Sequence, residues 1–217
     1  MSDVVVWRFD PDGLLAAEQA RLAARLGPAE RERYARIRDA AARARSEAVR
    51  GMLRELLARE LGREPGIREG PQGKPHLERG ELRFSVAHTE GLALIALARG
   101  LELGVDVERA RELVPRELSP VLAPAELDEV AALPAAERSR AALRRFVRKE
   151  ALLKGLGTGL GGPVEPSALA LPAGEAWAPC ELAGYGRWWL SDLPLAPFLA
   201  ALAVQAPEPP AVHVRVL

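Results

Sequence analysis

The chain has 217 residues, 48% hydrophobic and 28% charged, and its 30 basic and 30 acidic side chains cancel to a formal charge of zero. That length can bury a proper core, as one domain or as two small halves, and the balance argues against whole-chain steering toward nucleic acid or an acidic membrane. The single cysteine, Cys180, excludes an internal disulfide framework and fits a reducing compartment.

Val4 to Phe9 reads as a strand closed by the turn Asp10-Pro11-Asp12-Gly13. Leu14 to Leu26 and Pro28 to Ile37 read as helices, with Gly27 ending the first and Pro28 suited to opening the second. The clearest helix runs from Ala40 to Leu61, where Val49, Met52, Leu53, Leu56 and Leu57 repeat at the spacing of a buried stripe and Gly62 ends the run. Three short strands follow: Leu82 to Val86, Leu92 to Leu97 and Leu103 to Val107. Gly-containing turns separate them, so one antiparallel sheet is expected. Helices return over Pro124 to Ala132 and Ala135 to Gly155, and the tail carries strand-like pieces at Arg187 to Leu190, Phe198 to Val204 and Val212 to Val216. Cys180 reads as an inert thiol in a Pro-flanked loop. Gly100 is the most plausible seam, giving an α/β (α+β) chain divided into 1–100 and 101–217. No apolar stretch reaches spanning length and no basic region precedes the first apolar run, so a cytoplasmic protein without membrane or nucleic-acid partners is expected.

Arginine is the cation almost everywhere. Only Lys74, Lys149 and Lys154 are lysines, and they fall in two short motifs, Gln72-Gly73-Lys74-Pro75 and Arg148-Lys149-Glu150-Ala151-Leu152-Leu153-Lys154. A lysine ammonium is a compact, rotatable point charge suited to phosphate oxygens, whereas guanidinium is a flat fork, so this placement points to chemistry at the two motifs. Arginines also crowd the stretch from Arg31 to Arg54 against only Glu32, Asp39 and Glu47. A solvated helix face explains that excess, and so does a dock for a polyanion.

In Gly104-Val105-Asp106-Val107-Glu108, strand alternation puts Asp106 and Glu108 on one face and the valines in the core. Adjacent carboxylates repel unless they are protonated, paired or bound to a metal; Arg109 and Arg111 make a surface ion-pair cluster one reading. On the later helix, Glu150 and Lys154 are four apart and share a face, the spacing of an ordinary helical ion pair. A third carboxylate joining the first two would complete an all-oxygen site for a hard dication. Magnesium fits that preference and usually fills its shell with substrate phosphates, so a phosphate or pyrophosphate ester is the expected substrate. Gly73 and Pro75 shape a short loop that holds Lys74 at its tip. Phe84-Ser85-Val86-Ala87-His88-Thr89 runs a strand into a turn, where His88 and Thr89 can donate to a phosphate. The glycine-rich run Gly155 to Gly162 follows a helix rather than a strand and lacks the closing Gly-Lys-Ser/Thr, so it reads as a helix stop.

In order and rough spacing, Gly73-Lys74-Pro75, Phe84 to Thr89, Gly104 to Glu108 and Phe146 to Lys154 resemble the 4'-phosphopantetheinyl transferases of the Sfp type. The resemblance covers about residues 30 to 160. It implies two similar α/β halves about a pseudo-twofold axis with coenzyme A and Mg2+ between them, acting on an acyl or peptidyl carrier protein. A monomer is expected, since a two-half chain completes its own cleft. Residue by residue, it implies that Asp106, Glu108 and Glu150 hold magnesium and that Lys154 reaches the coenzyme phosphates. Lys74 and His88 would contact those phosphates too, from a wall that includes Gly73, Pro75, Ser85 and Thr89. Arg45, with Ser46 beside it, would lie near the adenosine and 3'-phosphate, with Arg33 and Arg54 as further parts of that wall. Glu150, directly or through water, would take the proton of the carrier serine, and 3',5'-ADP would leave. Ala87 stands where many members have Ser, and Phe146 where Trp is frequent; neither removes a ligand or cation. On the residues alone, a nucleotidyl transferase or phosphohydrolase and a non-catalytic coenzyme A-binding module stay open as alternatives.

Overall fold

The computed structural model describes residues 3–70, 72–80, 82–159, 161, 163–171 and 176–217. In chain order it runs β1 (Val4–Phe9), α1 (Ala16–Ala24), α2 (Pro28–Ala35), α3 (Ala40–Leu61), β2 (Ile67–Glu69), β3 (Pro75–Leu77), β4 (Arg83–Thr89), β5 (Leu92–Ala98) and β6 (Leu103–Arg109). It continues with α4 (Pro124–Ala132), α5 (Ala135–Leu156), β7 (Ala178–Leu182), β8 (Gly186–Leu193), β9 (Phe198–Gln205) and β10 (Val212–Val216). The mixed α+β class expected from the sequence is the class observed.

Two four-stranded sheets, each with a 22-residue helix on its outer face, stack into four layers. The first sheet has the order β10-β1-β5-β4 and the second β6-β9-β8-β7. Alternation along each strand explains the stacking. In β5, Ala93, Ile95 and Leu97 face α3 through Val49, Leu53, Leu56 and Leu57. Leu92, Leu94, Ala96 and Ala98 instead meet Leu103, Val105, Val107, Leu202 and Val204 of the second sheet. With both faces covered, β5 is buried along its whole length, which is why it is written as an unbroken apolar run. The second sheet packs its other face, through Leu190, Leu199, Ala201 and Ala203, on Leu143, Val147, Ala151 and Leu152 of α5. Each large apolar side chain so covered contributes roughly 1.5–3 kcal/mol.

The serial antiparallel sheet expected from three consecutive strands is not what forms. β4 and β5 pair as a hairpin, but β6 leaves them after Gly100, whose φ of +70° only glycine adopts readily, and pairs with β9. Its apolar face is needed against the first sheet, so it lies beside β4 as part of the other layer. β10 returns from the end of the chain to pair in parallel with β1, so the last strand lies in the sheet otherwise built from residues before 100. Strands β2, β3 and β7 are additional to the sequence expectations. Cys180 lies on β7, paired opposite Trp188, rather than in a loop; burial, then Glu181, raises its thiol pKa. No helix of the structure is long and apolar enough to cross a membrane, among the described residues.

The two long helices end alike, at Gly62 with φ +65° and Gly157 with φ +74°. Gly157 N donates to the carbonyls of Leu153 and Lys154, so the glycine-rich run begins as a helix stop, as read; Leu160 and Gly162 lie outside the described residues. α5 approaches β6 more closely than a side chain would permit. A Cβ on Gly104 would stand 2.0 Å from Ala151 O, and one on Gly155 would stand 2.5 Å from Trp188 Cζ3. Gly104 thus sets how close the acidic strand comes to the helix carrying Glu150, and Gly155, 51 residues later, leaves room for Trp188 of β8.

Candidate active site

Because Val105 and Val107 face the first sheet, Asp106 turns to the other side of β6, beneath α5. It is buried, and its Oδ1 accepts from Lys154 Nζ at 2.6 Å. Burial raises the Asp106 pKa, opposed by Lys154 and by the Val107 amide. Burial and then the charge of Asp106 raise Glu108, with Arg111 and Lys154 pulling the other way. Glu150, one helical turn before Lys154, is raised by burial and by Asp106, lowered by Lys154 and raised again by Glu108. Three carboxyls from two distant motifs therefore share one electrostatic neighbourhood.

Among the described residues, no three His, Cys, Asp or Glu side chains are closed about one point as metal ligands. The donor set nonetheless fits a hard cation. All its atoms are carboxylate oxygens, and Glu150 Oε1 is buried without a hydrogen-bond partner. An orphaned acceptor among like charges is an expensive arrangement that a dication relieves.

The neighbouring walls combine the 73–75 loop and β4 with the end of α5. Gly73, Lys74, Pro75, Phe84, Ser85, Val86, Leu153 and Lys154 line a pocket of about 240 Å³. Through Gly73, Pro75 and Val86 it adjoins a cleft of about 730 Å³ that also includes Arg33, Ser46, Arg50, Arg54 and His88. Gly73 takes φ +81° in the turn closed by Gly70 N to Lys74 O at 2.9 Å. Most sequence-selected residues thus gather along one channel, but several have partners that were not foreseen. Lys74 Nζ turns to Gly155 O at 2.6 Å and Glu102 Oε2 at 3.3 Å. Burial lowers its pKa, Glu102 opposes that, and Arg83 lowers it further. Ser85 Oγ accepts from Val105 N at 3.1 Å, joining β4 to β6. Ser46 Oγ donates to Ala42 O within its own helix. Thr89 ends β4, paired with Leu92 across the hairpin.

His88 opens to solvent on one side but is ringed by protein on the rest. That desolvation, then Lys154 and Arg45, lowers its pKa, with Asp12 opposing. Arg45 Nε holds both oxygens of Asp12, at 2.9 and 3.0 Å, and Asp12 Oδ2 also accepts from Gly91 N at 2.7 Å. Glu30 is clamped by Arg50 and Arg54, and Arg33 pairs with Glu69. The Arg-rich stretch is therefore neither a bare polyanion dock nor only a solvated face, since its cleft-lining members are positioned by carboxylates. Asp12 was legible only as a turn former; nothing in its motif signals the partnership with Arg45.

Lys149 corrects the inference drawn from lysine usage. It is 1% exposed, and its Nζ donates to Val121 O and Pro166 O, both at 2.9 Å, and lies 2.5 Å from Glu126 Oε2. Glu126 in turn accepts from the amides of Ala123 and Leu171. This buried pair ties α4 and the segment ending at Leu171 to the back of α5.

The acidic trio thus lies between β6 and α5 of the second sheet-and-helix layer, beside a pocket that the 73–75 loop and β4 also line. Residues 102–187 match the family model described as the 4'-phosphopantetheinyl transferase superfamily. Over 213 residues the chain is 32% identical to the 4'-phosphopantetheinyl transferase HetI of Nostoc sp. (strain PCC 7120), covering 93% of this chain and 87% of that protein. Over 142 residues it is 34% identical to the putative 4'-phosphopantetheinyl transferase slr0495 of Synechocystis sp. (strain PCC 6803), covering 60% of this chain and 55% of that one. The chain belongs to the 4'-phosphopantetheinyl transferase superfamily and is an enzyme of that class, whose co-substrate is coenzyme A. Membership sets aside the nucleotidyl-transferase and binding-module readings.

Proposed function

We propose that this chain transfers the 4'-phosphopantetheine arm of coenzyme A to a serine of an acyl or peptidyl carrier protein, in a magnesium-dependent reaction that releases 3',5'-ADP. The observation that carries the reading is Glu150 Oε1, buried and unpartnered beside Asp106 and Glu108, next to a pocket lined by Lys154 and the 73–75 loop. Asp106, Glu108 and Glu150 would hold magnesium, which when bound neutralises charge on the pyrophosphate. The carrier serine oxygen attacks the phosphorus that bears pantetheine; that bond forms as the bond to the oxygen of the 3',5'-ADP leaving group breaks. Glu150, directly or through water, takes the serine proton. Lys154 supplies positive charge to the phosphate oxygens. His88 and Arg45 form the wall toward the 3'-phosphate, and Asp12 holds the Arg45 guanidinium in place. Ser85 supports this site through the β4–β6 seam, and Thr89 would reach it from the end of β4. Both walls come from one chain, so a monomer suffices.

The test is to incubate the protein with coenzyme A, magnesium and apo carrier proteins of several types and to weigh each carrier. A mass gain of one phosphopantetheine on a serine is expected; no gain on any carrier overturns the proposal.

A further inference from the structure

Lys74 precedes β3 and lines the pocket beside Lys154, yet its ammonium is engaged by groups of the protein itself. It reaches Gly155 O, 81 residues later, at 2.6 Å. That carbonyl is one of the last four of α5, the group a helix cannot satisfy internally. The local turn serves others, since Gly157 N and Thr158 N return to Leu153 O, with Gly157 N also on Lys154 O. Among the described residues, the donor to Gly155 O is Lys74. A cation at a helix C-terminus also meets the negative end of the dipole. Glu102 fixes the ammonium from the other side at 3.3 Å and is itself held by Arg83 at 2.7 Å. The lysine stem lies against the turn, where a Cβ on Gly157 would come within 3.1 Å of Lys74 Cδ.

We propose that Lys74 is a positioning residue, a C-terminal cap donated across the two halves that fixes the end of α5 and with it Lys154 and Glu150, with Glu102 as its anchor. The chain needs Lys here because a single carbonyl at the end of a crowded turn takes a point donor; the planar fork of Arg suits a bidentate partner. A carbonyl accepts one short bond from the ammonium and holds the helix end without fixing its rotation, whereas Glu102 fixes direction. The consequence for catalysis rests on the reading that Lys154 and Glu150 serve the reaction; the cap itself does not.

The experiment compares Lys74→Met, Lys74→Arg and Glu102→Gln with the unaltered protein by three readouts. Amide hydrogen exchange follows Gly157 and Thr158, calorimetry follows coenzyme A binding without carrier, and steady-state kinetics separates kcat from KM. For Lys74→Met the expected result is faster exchange at those two amides, a coenzyme A Kd within about twofold of the original, and a kcat lower by about tenfold or more. Glu102→Gln should move the same quantities in the same direction by less, and Lys74→Arg should not restore kcat. The proposal is overturned if Lys74→Met weakens coenzyme A at least about tenfold while exchange stays unchanged, or if Glu102→Gln tightens coenzyme A by freeing the ammonium for a phosphate. Should the unaltered protein modify no carrier, the transfer reading fails alone, because exchange and coenzyme A binding still judge the cap.

Discussion

Lys154 Nζ on α5 and Asp106 Oδ1 on β6 meet at 2.6 Å, across a helix–sheet contact that Gly104 and Gly155 bring unusually close. The pair sets the polarity of the site. Asp106 is buried, with this cation and the Val107 amide stabilising its charge, while Glu108 and Glu150 press on it with like charge. The proposed magnesium and the proposed phosphate cation thus begin from one hydrogen-bonded contact.

Glu150→Ala should leave the protein folded and lower kcat by about a thousandfold, since it removes both a proposed ligand and the base. Magnesium titration followed by calorimetry should lose its heat in the same variant. Full activity in a folded Glu150→Ala protein would refute the assignment.

Gly104→Ala should cost about 3 kcal/mol in denaturant unfolding, because its Cβ meets backbone, Ala151 O at 2.0 Å, and backbone cannot swing away. Activity should fall further than the stability loss alone explains, as α5 lifts from β6. A variant as stable and active as the parent would show that the close approach is dispensable.

Lys149→Met should destabilise by about 3–5 kcal/mol, because it leaves the Glu126 carboxylate buried without its cation. The double variant Lys149→Met/Glu126→Leu should recover part of that loss but not all, since Ala123 N and Leu171 N lose their acceptor. Chemical denaturation of the single and double variants measures both.

Glu30 gives a pH signature. Burial raises its pKa, but Arg54, the Gly27 amide and Arg50 outweigh that and leave it below the usual 4.5. A carboxyl lowered on folding stabilises above its unfolded pKa and loses that contribution as pH falls through the folded one. Glu30→Gln should therefore cost about 2 kcal/mol at pH 7, and the gap to the parent should shrink as pH drops below about 4.5. Thermal melts at pH 7 and pH 3.5 decide it: an unchanged gap contradicts the assignment.

Arg45→Ala should raise the KM for coenzyme A by about tenfold, the worth of one charge-assisted contact, with little change in kcat. If Arg45 serves the 3'-phosphate, the parent should prefer coenzyme A over dephospho-coenzyme A and the variant should lose that preference. Equal discrimination in both would move Arg45 out of the site.

Much of this molecule is legible from local pattern. The spacing of Val49, Met52, Leu53, Leu56 and Leu57 marks α3, and Gly62 and Gly157 end the long helices through φ values that only glycine adopts cheaply. The acids Asp106, Glu108 and Glu150 are visible as a set through the resemblance of their two motifs to the family, since the Asp-x-Glu pair and the Glu150–Lys154 pair each have an ordinary ion-pair reading of their own. Less legible are β2, β3 and β7, three to five residues long and without clear alternation. The departure of β6 from the sheet of β4 and β5 is hidden for another reason: an apolar face is the same in sequence whichever layer it covers.

The order of residues by itself determined which segments coil or extend, where they stop, and which side chains carry charge, because those depend on neighbours a few positions away. The tertiary structure alone decided what each charge meets. Lys149 and Lys154 lie five apart on one helix, about 140° around its axis, so one faces buried Glu126 and the other Asp106. Lys74 is a loop-tip cation in the sequence and a helix cap in the fold, since the carbonyl it reaches is brought to it only by the packing of the two halves.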